Sequence, residues 1–123
     1  MRYLTARKRA EGKGASGTGT EHFWHMKVSG VGLAIIVPTF LVLFGRALGG
    51  TRQEVIDAFS HPFMAILTGL VLFVGLRHFQ NGAQTMIEDY SKGATRRALI
   101  IGVTALSYAL TATGLFALAK IAL

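Results

Sequence analysis

Three long apolar blocks set the pattern of this chain. They run over residues 28–48, 63–76 and 98–119, and polar or glycine-bearing stretches separate them. About 20 apolar residues in a helix cross the ~30 Å hydrocarbon layer of a bilayer. The first and third blocks reach that length. The second does not, so its helix must run on through Arg77 and His78. The pattern predicts an all-α membrane protein with three transmembrane helices. The expected spans are 28–48, 62–84 with a helical extension to about 90, and 98–119.

Local signals place the boundaries. Gly49 and Gly50 should stop the first helix, and residues 54–59 should form a short surface turn. Ser60 fits an N-cap and Pro62 the first turn of the second helix. Gly93 should end that helix, and residues 91–97 read as a short basic turn. Pro38 should bend or loosen the first span. Ala98, Gly102, Ala105, Ala109 and Ala112 recur at 4, 3, 4, 3 spacing, a stripe suited to close packing on another helix.

Composition supports the membrane reading. Hydrophobic residues make up 51% of 123, more than a soluble domain of this size can bury. The net charge of +7 is gathered in the first residues and in the second loop. Basic residues there orient a membrane protein, so nucleic acid is not expected as a partner. The count places the amino terminus and second loop in the cytoplasm and the carboxyl terminus outside. Residues 1–21 read as a flexible basic cytoplasmic tail, and residues 22–123 as the membrane unit. The chain has no cysteine, which excludes disulfides, thiolate metal sites and cysteine nucleophiles. Its Gly-rich run lacks the order of a phosphate-binding loop.

Candidate chemistry concentrates where the second helix leaves its apolar block. Residues 76–90 hold Arg77, His78, Gln80, Asn81, Gln84, Glu88, Asp89 and Tyr90. Polar groups at that depth are costly and mark function. His78 and Asp89 return to nearly one helix face, roughly 16 Å apart along the axis. Gly75 and Gly82 flank His78 on about that face, where a flat macrocycle could lie against the backbone. A neutral imidazole suits an axial haem ligand; a plain helix-to-helix hydrogen bond is the alternative. A six-coordinate haem would then need its other ligand from a partner subunit. Tyr90 could donate a hydrogen bond to a quinone oxygen while Asp89 relays protons; solvated helix-end residues are the alternative. Arg77 and Lys27 could pair with haem propionates or reach lipid phosphates. Glu88 reads as solvated, His22 and His61 as interfacial without a role, and His25 as an interfacial rival to His78. Gln80, Asn81 and Gln84 read as glue between helices.

The order of these features resembles a known family. His78, ten residues, then Asp89-Tyr90 at the end of a second membrane helix is similar to the hydrophobic membrane anchors of bacterial succinate dehydrogenase (respiratory complex II). Phe23-Trp24-His25-Met26-Lys27-Val28-Ser29 before the first span resembles the lead-in of that family. The resemblance implies pairing with a second, three-helix membrane anchor into a helical bundle. That pair holds an iron–sulfur subunit and a flavoprotein subunit at the bacterial inner membrane, for succinate:ubiquinone oxidoreduction. It further implies haem b on His78, with the second anchor supplying the other ligand, and a ubiquinone site at Tyr90 and Asp89. Rival readings are a small non-redox scaffold or channel subunit, or a cytochrome b-type subunit of another quinone enzyme.

Overall fold

Each long apolar block forms one unbroken helix, with only Leu48 of the first block left in the turn that follows. The computed structural model describes residues 5–11 and 19–123. Among them the elements are α1 (Ala6–Glu11), α2 (Gly19–Ala47), α3 (Arg52–Ser60), α4 (Pro62–Tyr90) and α5 (Gly93–Ala122). In hydrocarbon a backbone must satisfy its own polar groups, and a helix does so within one segment. Three of these helices, α2, α4 and α5, are long and apolar enough to span a membrane. The protein is a multi-pass membrane protein.

Several boundaries depart from the sequence expectation, each for a local reason. The expected tail reaches residue 21, yet α2 begins at Gly19 and draws in Thr20 and Glu21. Glu21 lies in the first turn, where a carboxylate complements the positive end of the helix dipole. Ala6–Glu11 is helical, closed by an Arg7–Glu11 ion pair at 2.9 Å. The rest of the expected tail, residues 1–4 and 12–18, lies outside the described residues. The turn expected at 54–59 is the longer helix α3. Thr51 caps it and forms a reciprocal capping box with Glu54. Ser60 does not cap α4; it ends α3, and its hydroxyl donates to the Asp57 carbonyl at 3.0 Å. His61 caps α4 instead, its Nδ1 accepting from the Phe63 N–H at 3.3 Å, with Pro62 at the first helical position.

Gly93 opens α5 rather than closing α4, which stops at Tyr90. Gly93 has φ +62°, a left-handed backbone that glycine adopts at no steric cost. The expected basic turn therefore shrinks to Ser91 and Lys92, and Arg96 and Arg97 fall within α5. Cations are unfavourable near a helix amino terminus; Arg96 approaches Glu88 of α4 at 3.7 Å, so Glu88 is an ion-pair partner rather than simply solvated. The first span runs through Pro38 as helix. Beside it the Thr39 hydroxyl donates to the carbonyl one turn back, Ile35, at 2.8 Å, so this polar side chain is satisfied within its own helix.

The spanning helices form a row with α4 in the middle. α4 packs on α2 along one side and on α5 along the other, while α2 and α5 do not meet among the described residues. Short α3 closes one end and touches all three. Phe44 of α2 anchors it there, edge-on to Phe59 at 6.1 Å. Glycines set the spacing. A Cβ at Gly114 of α5 would stand 3.1 Å from Leu72 Cδ1, and one at Gly69 of α4 would stand 3.6 Å from Leu118 Cδ2. On the other side, Leu33 and Met26 of α2 lie over Gly75 and Gly82. Lipid tails are as apolar as leucine, so such close van der Waals contact is what holds membrane helices together.

The α5 stripe is not used in this way within the chain. Ala98, Gly102, Ala105, Ala109 and Ala112 are all exposed, and nothing lies within 4 Å of a Cβ built on Gly102. The face of α5 that meets α4 instead runs through Thr104, Ser107, Thr111 and Gly114. Ser107 is 3% exposed, and its small side chain lets the two backbones approach.

Candidate functional site

His78 lies deep on the middle helix, 12 residues before the end of α4, or roughly 18 Å along the axis. Its ring crosses to α2. The Ser29 hydroxyl lies 2.8 Å from His78 Nδ1, and a Cβ on Gly30 would lie 3.5 Å from His78 Cε1. The imidazole thus rests on a glycine of α2, beside a serine that reaches it. This is a different arrangement from the cradle expected around Gly75 and Gly82. Those two notches receive Leu33 and Met26, so they pack α2 against α4.

A cleft of about 390 Å³ opens beside the ring, with His22, His25 and Ser29 on one wall and Arg77, His78 and Asn81 on the other. His22 and His25 therefore share the cleft with His78, although sequence alone places them at the interface. A signal for this exists in the sequence. Residues 22, 25 and 29 are spaced i, i+3, i+7, which is one face of a helix. Asn81 lines the cleft, and Gln84 donates to Glu88 on its own helix at 3.0 Å. Gln80 does join two helices as expected, donating to Thr104 Oγ1 of α5 at 3.1 Å.

Arg77 stands on the same wall. Nη1 donates to Gln80 Oε1 at 2.6 Å, and the guanidinium lies 5.9 Å from the centroid of the Tyr108 ring. No carboxylate pairs with it among the described residues. A guanidinium in a membrane segment with only an amide and a ring as partners is a charge in want of an anion. Lys27 faces elsewhere. Its ammonium lies 5.1 Å from the Phe23 ring, and it lines a separate apolar groove with Trp24, Val28 and Val31. It does not line the His78 cleft.

Asp89 and Tyr90 end α4, both exposed, with Tyr90 at 86%. Neither lines the cleft. They stand below it on the same helix, open for contact with another chain or a bound molecule. A larger cavity, about 670 Å³, lies among α2, α3 and α4 at the opposite end of α4. Three of its polar side chains are engaged in local structure, while Arg46 lines it with no side-chain partner among the described residues. Glu54 accepts from the Thr51 N–H at 2.7 Å, Asp57 from Gln53 at 2.8 Å, and His61 caps α4. The bond from the Thr51 backbone, helped by its hydroxyl, holds the Glu54 carboxyl below the ordinary glutamate range.

The cleft gathers imidazole, hydroxyl, guanidinium and amide groups around His78. Its imidazole has one nitrogen engaged and the other without a hydrogen-bond partner among the described residues. A cation and two further imidazoles line the opening. Comparison with known proteins then decides the class. A family model described as the succinate dehydrogenase/fumarate reductase transmembrane subunit matches residues 1–116. The chain belongs to that family. A curated relative, the succinate dehydrogenase hydrophobic membrane anchor subunit of Paracoccus denitrificans, is 42% identical over 123 residues, spanning all of this chain and 95% of the relative. No solved structure matches the chain. Membership makes this chain the transmembrane part of a larger quinone-enzyme assembly. It also sets aside a non-redox scaffold or channel subunit.

Proposed function

We propose that this chain is the hydrophobic anchor of a succinate:ubiquinone oxidoreductase in a bacterial inner membrane, with its amino terminus in the cytoplasm. It pairs there with a second membrane anchor and holds the iron–sulfur and flavoprotein subunits at the cytoplasmic face. The observation that supports this most is the imidazole of His78, held across α2 and α4 beside a cleft that His22, His25 and Arg77 also line. The whole-length match to a succinate dehydrogenase anchor supports it independently.

In this reading His78 would hold haem b through its ring nitrogen, and the second anchor would supply the other ligand. Bound there, haem would supply a one-electron site close to the quinone, as an electron sink or a structural staple. Arg77, charged and without an acid partner among the described residues, pairs with a propionate. Lys27 is the weaker candidate for that task, because it lines a different groove. Tyr90 donates its hydroxyl to a ubiquinone oxygen, and Asp89 passes protons from the cytoplasm. Both stand free at the end of α4, nearest the subunits that deliver electrons.

The chain, tagged and purified from mild detergent, tests the assembly. A flavoprotein, an iron–sulfur protein and a second three-span chain should copurify with it, and the complex should reduce ubiquinone with succinate. Purification of a stable lone chain without haem absorbance would contradict the proposal.

A further inference from the structure

The contact between Ser29 and His78 fixes more than the position of a ring. The Ser29 oxygen has three neighbours: the His25 carbonyl at 2.6 Å, the Met26 carbonyl at 3.2 Å and His78 Nδ1 at 2.8 Å. A hydroxyl has one hydrogen to give and lone pairs to receive. A carbonyl oxygen can only accept. Two oxygens 2.6 Å apart repel unless a hydrogen lies between them, so the Ser29 hydrogen points at the His25 carbonyl. The Ser29 lone pairs then face the imidazole, and Nδ1 must be the donor. In a neutral ring that leaves Nε2 unprotonated, with its lone pair free for a metal.

We infer that Ser29 is the positioning residue of the haem ligand: it holds His78 in the Nδ1–H tautomer, presents Nε2, and sets how strongly the imidazole donates. This rests on the reading of His78 as a haem ligand. Three features of the fold serve it. Gly30, next in the chain, leaves space for the ring edge. The His25 carbonyl is a backbone group of α2, so the hydroxyl is oriented by the helix itself and not by a mobile side chain. Met26 packs on Gly82 one helical turn from His78 and holds the two helices together near the contact. A second partner of this kind, the group that accepts from the far ring nitrogen, tunes both affinity and electronics of a metal-bound histidine. A hydroxyl is a weaker acceptor than a carboxylate, so the ligand stays closer to a neutral imidazole.

The test is a redox titration of the haem in the assembled membrane complex, read by its low-spin absorbance and not by turnover. In Ser29→Ala the Nδ1–H loses its acceptor, the imidazole donates less to ferric iron, and the reduced form is favoured. At a fixed ambient potential the reduced-to-oxidised ratio should rise about tenfold, a shift of ~59 mV for a one-electron couple. Ser29→Thr keeps the hydroxyl and should titrate within about twofold of the parent. Ser29→Cys supplies a weak acceptor of similar size. It should shift in the same direction as alanine, and it serves if the alanine complex does not assemble. A parental titration curve in Ser29→Ala or Ser29→Cys, or equal shifts in alanine and threonine, would overturn the inference. His78→Ala separates it from the reading beneath. Loss of the haem in that variant with unaltered Ser29 variants defeats the Ser29 assignment alone. Retention of the haem defeats the ligand assignment itself.

Discussion

His78 and Ser29 are 49 residues apart, yet the chemistry of either depends on the other. The histidine was legible in the sequence because an imidazole beyond an apolar block is costly without a purpose. Its partner was not, since a serine in a membrane helix ordinarily bonds to its own backbone, as this one also does. Only the crossing of α2 over α4 gives Ser29 its second role. The place of His22 and His25 in the cleft is hidden for a related reason: their common face with Ser29 matters only once α4 lies against it. Gly75 and Gly82 beside His78 stand out in the sequence, and in the fold they receive Leu33 and Met26 of α2. At this scale Tyr90 yields a clear expectation. Tyr90→Phe removes one donor at an 86% exposed position. It should lower succinate-driven ubiquinone reduction about tenfold or more while leaving succinate reduction of an artificial dye within about twofold. An equal fall in both rates would mean that Tyr90 acts through assembly.

The elements differ in what holds them. α3 depends on local hydrogen bonds, as it has no buried residue of its own. Glu54 is central to its cap, and its carboxyl is held below the ordinary value by the Thr51 backbone and hydroxyl. A carboxyl whose folded pKa is depressed contributes stability above its unfolded pKa and loses it as pH falls through the folded value. Acidification below the ordinary glutamate range should therefore lower the exchange protection of the Thr51 and Glu54 amides, each referred to its intrinsic rate at that pH. Glu54→Gln, which keeps a capping amide without a titrating group, should abolish that pH dependence. Long helices α4 and α5 are held by close packing. The Gln80–Thr104 bond contributes about 0.6 kcal/mol by the average for membrane proteins, so the glycine contacts dominate that seam. Gly114→Leu, set against Leu72 at a distance already tight for a single Cβ, should lower the midpoint of thermal inactivation of the complex. Gly102→Leu, on the free face, should not do so through the α4–α5 seam; any effect there belongs to a partner chain. The three spans were readable from the length of the apolar blocks. The start of α5 was not, because a left-handed glycine fits the end of one helix as well as the beginning of the next.

As a whole the molecule is a row of three helices that does not close on itself. Its buried apolar residues are only Met64, Leu67 and Ile87 among those described. The small-residue stripe of α5, the Tyr90 end of α4 and the His78 cleft all remain open. Such a chain suits a subunit whose fold is completed by others, as its family implies. Expressed without a partner anchor it should be degraded or extracted as aggregate, and coexpression should rescue it. The sequence made the apolar spans plain, but not which faces they share, because apolar residues surround every helix in lipid. The proposal that this chain forms half of a haem site is tested most directly by the optical spectrum of the assembled membrane complex with His78→Ala. A complex that retains flavin and iron–sulfur centres but has lost its low-spin haem b bands is the result expected. An unchanged haem b spectrum in that variant would contradict the proposal.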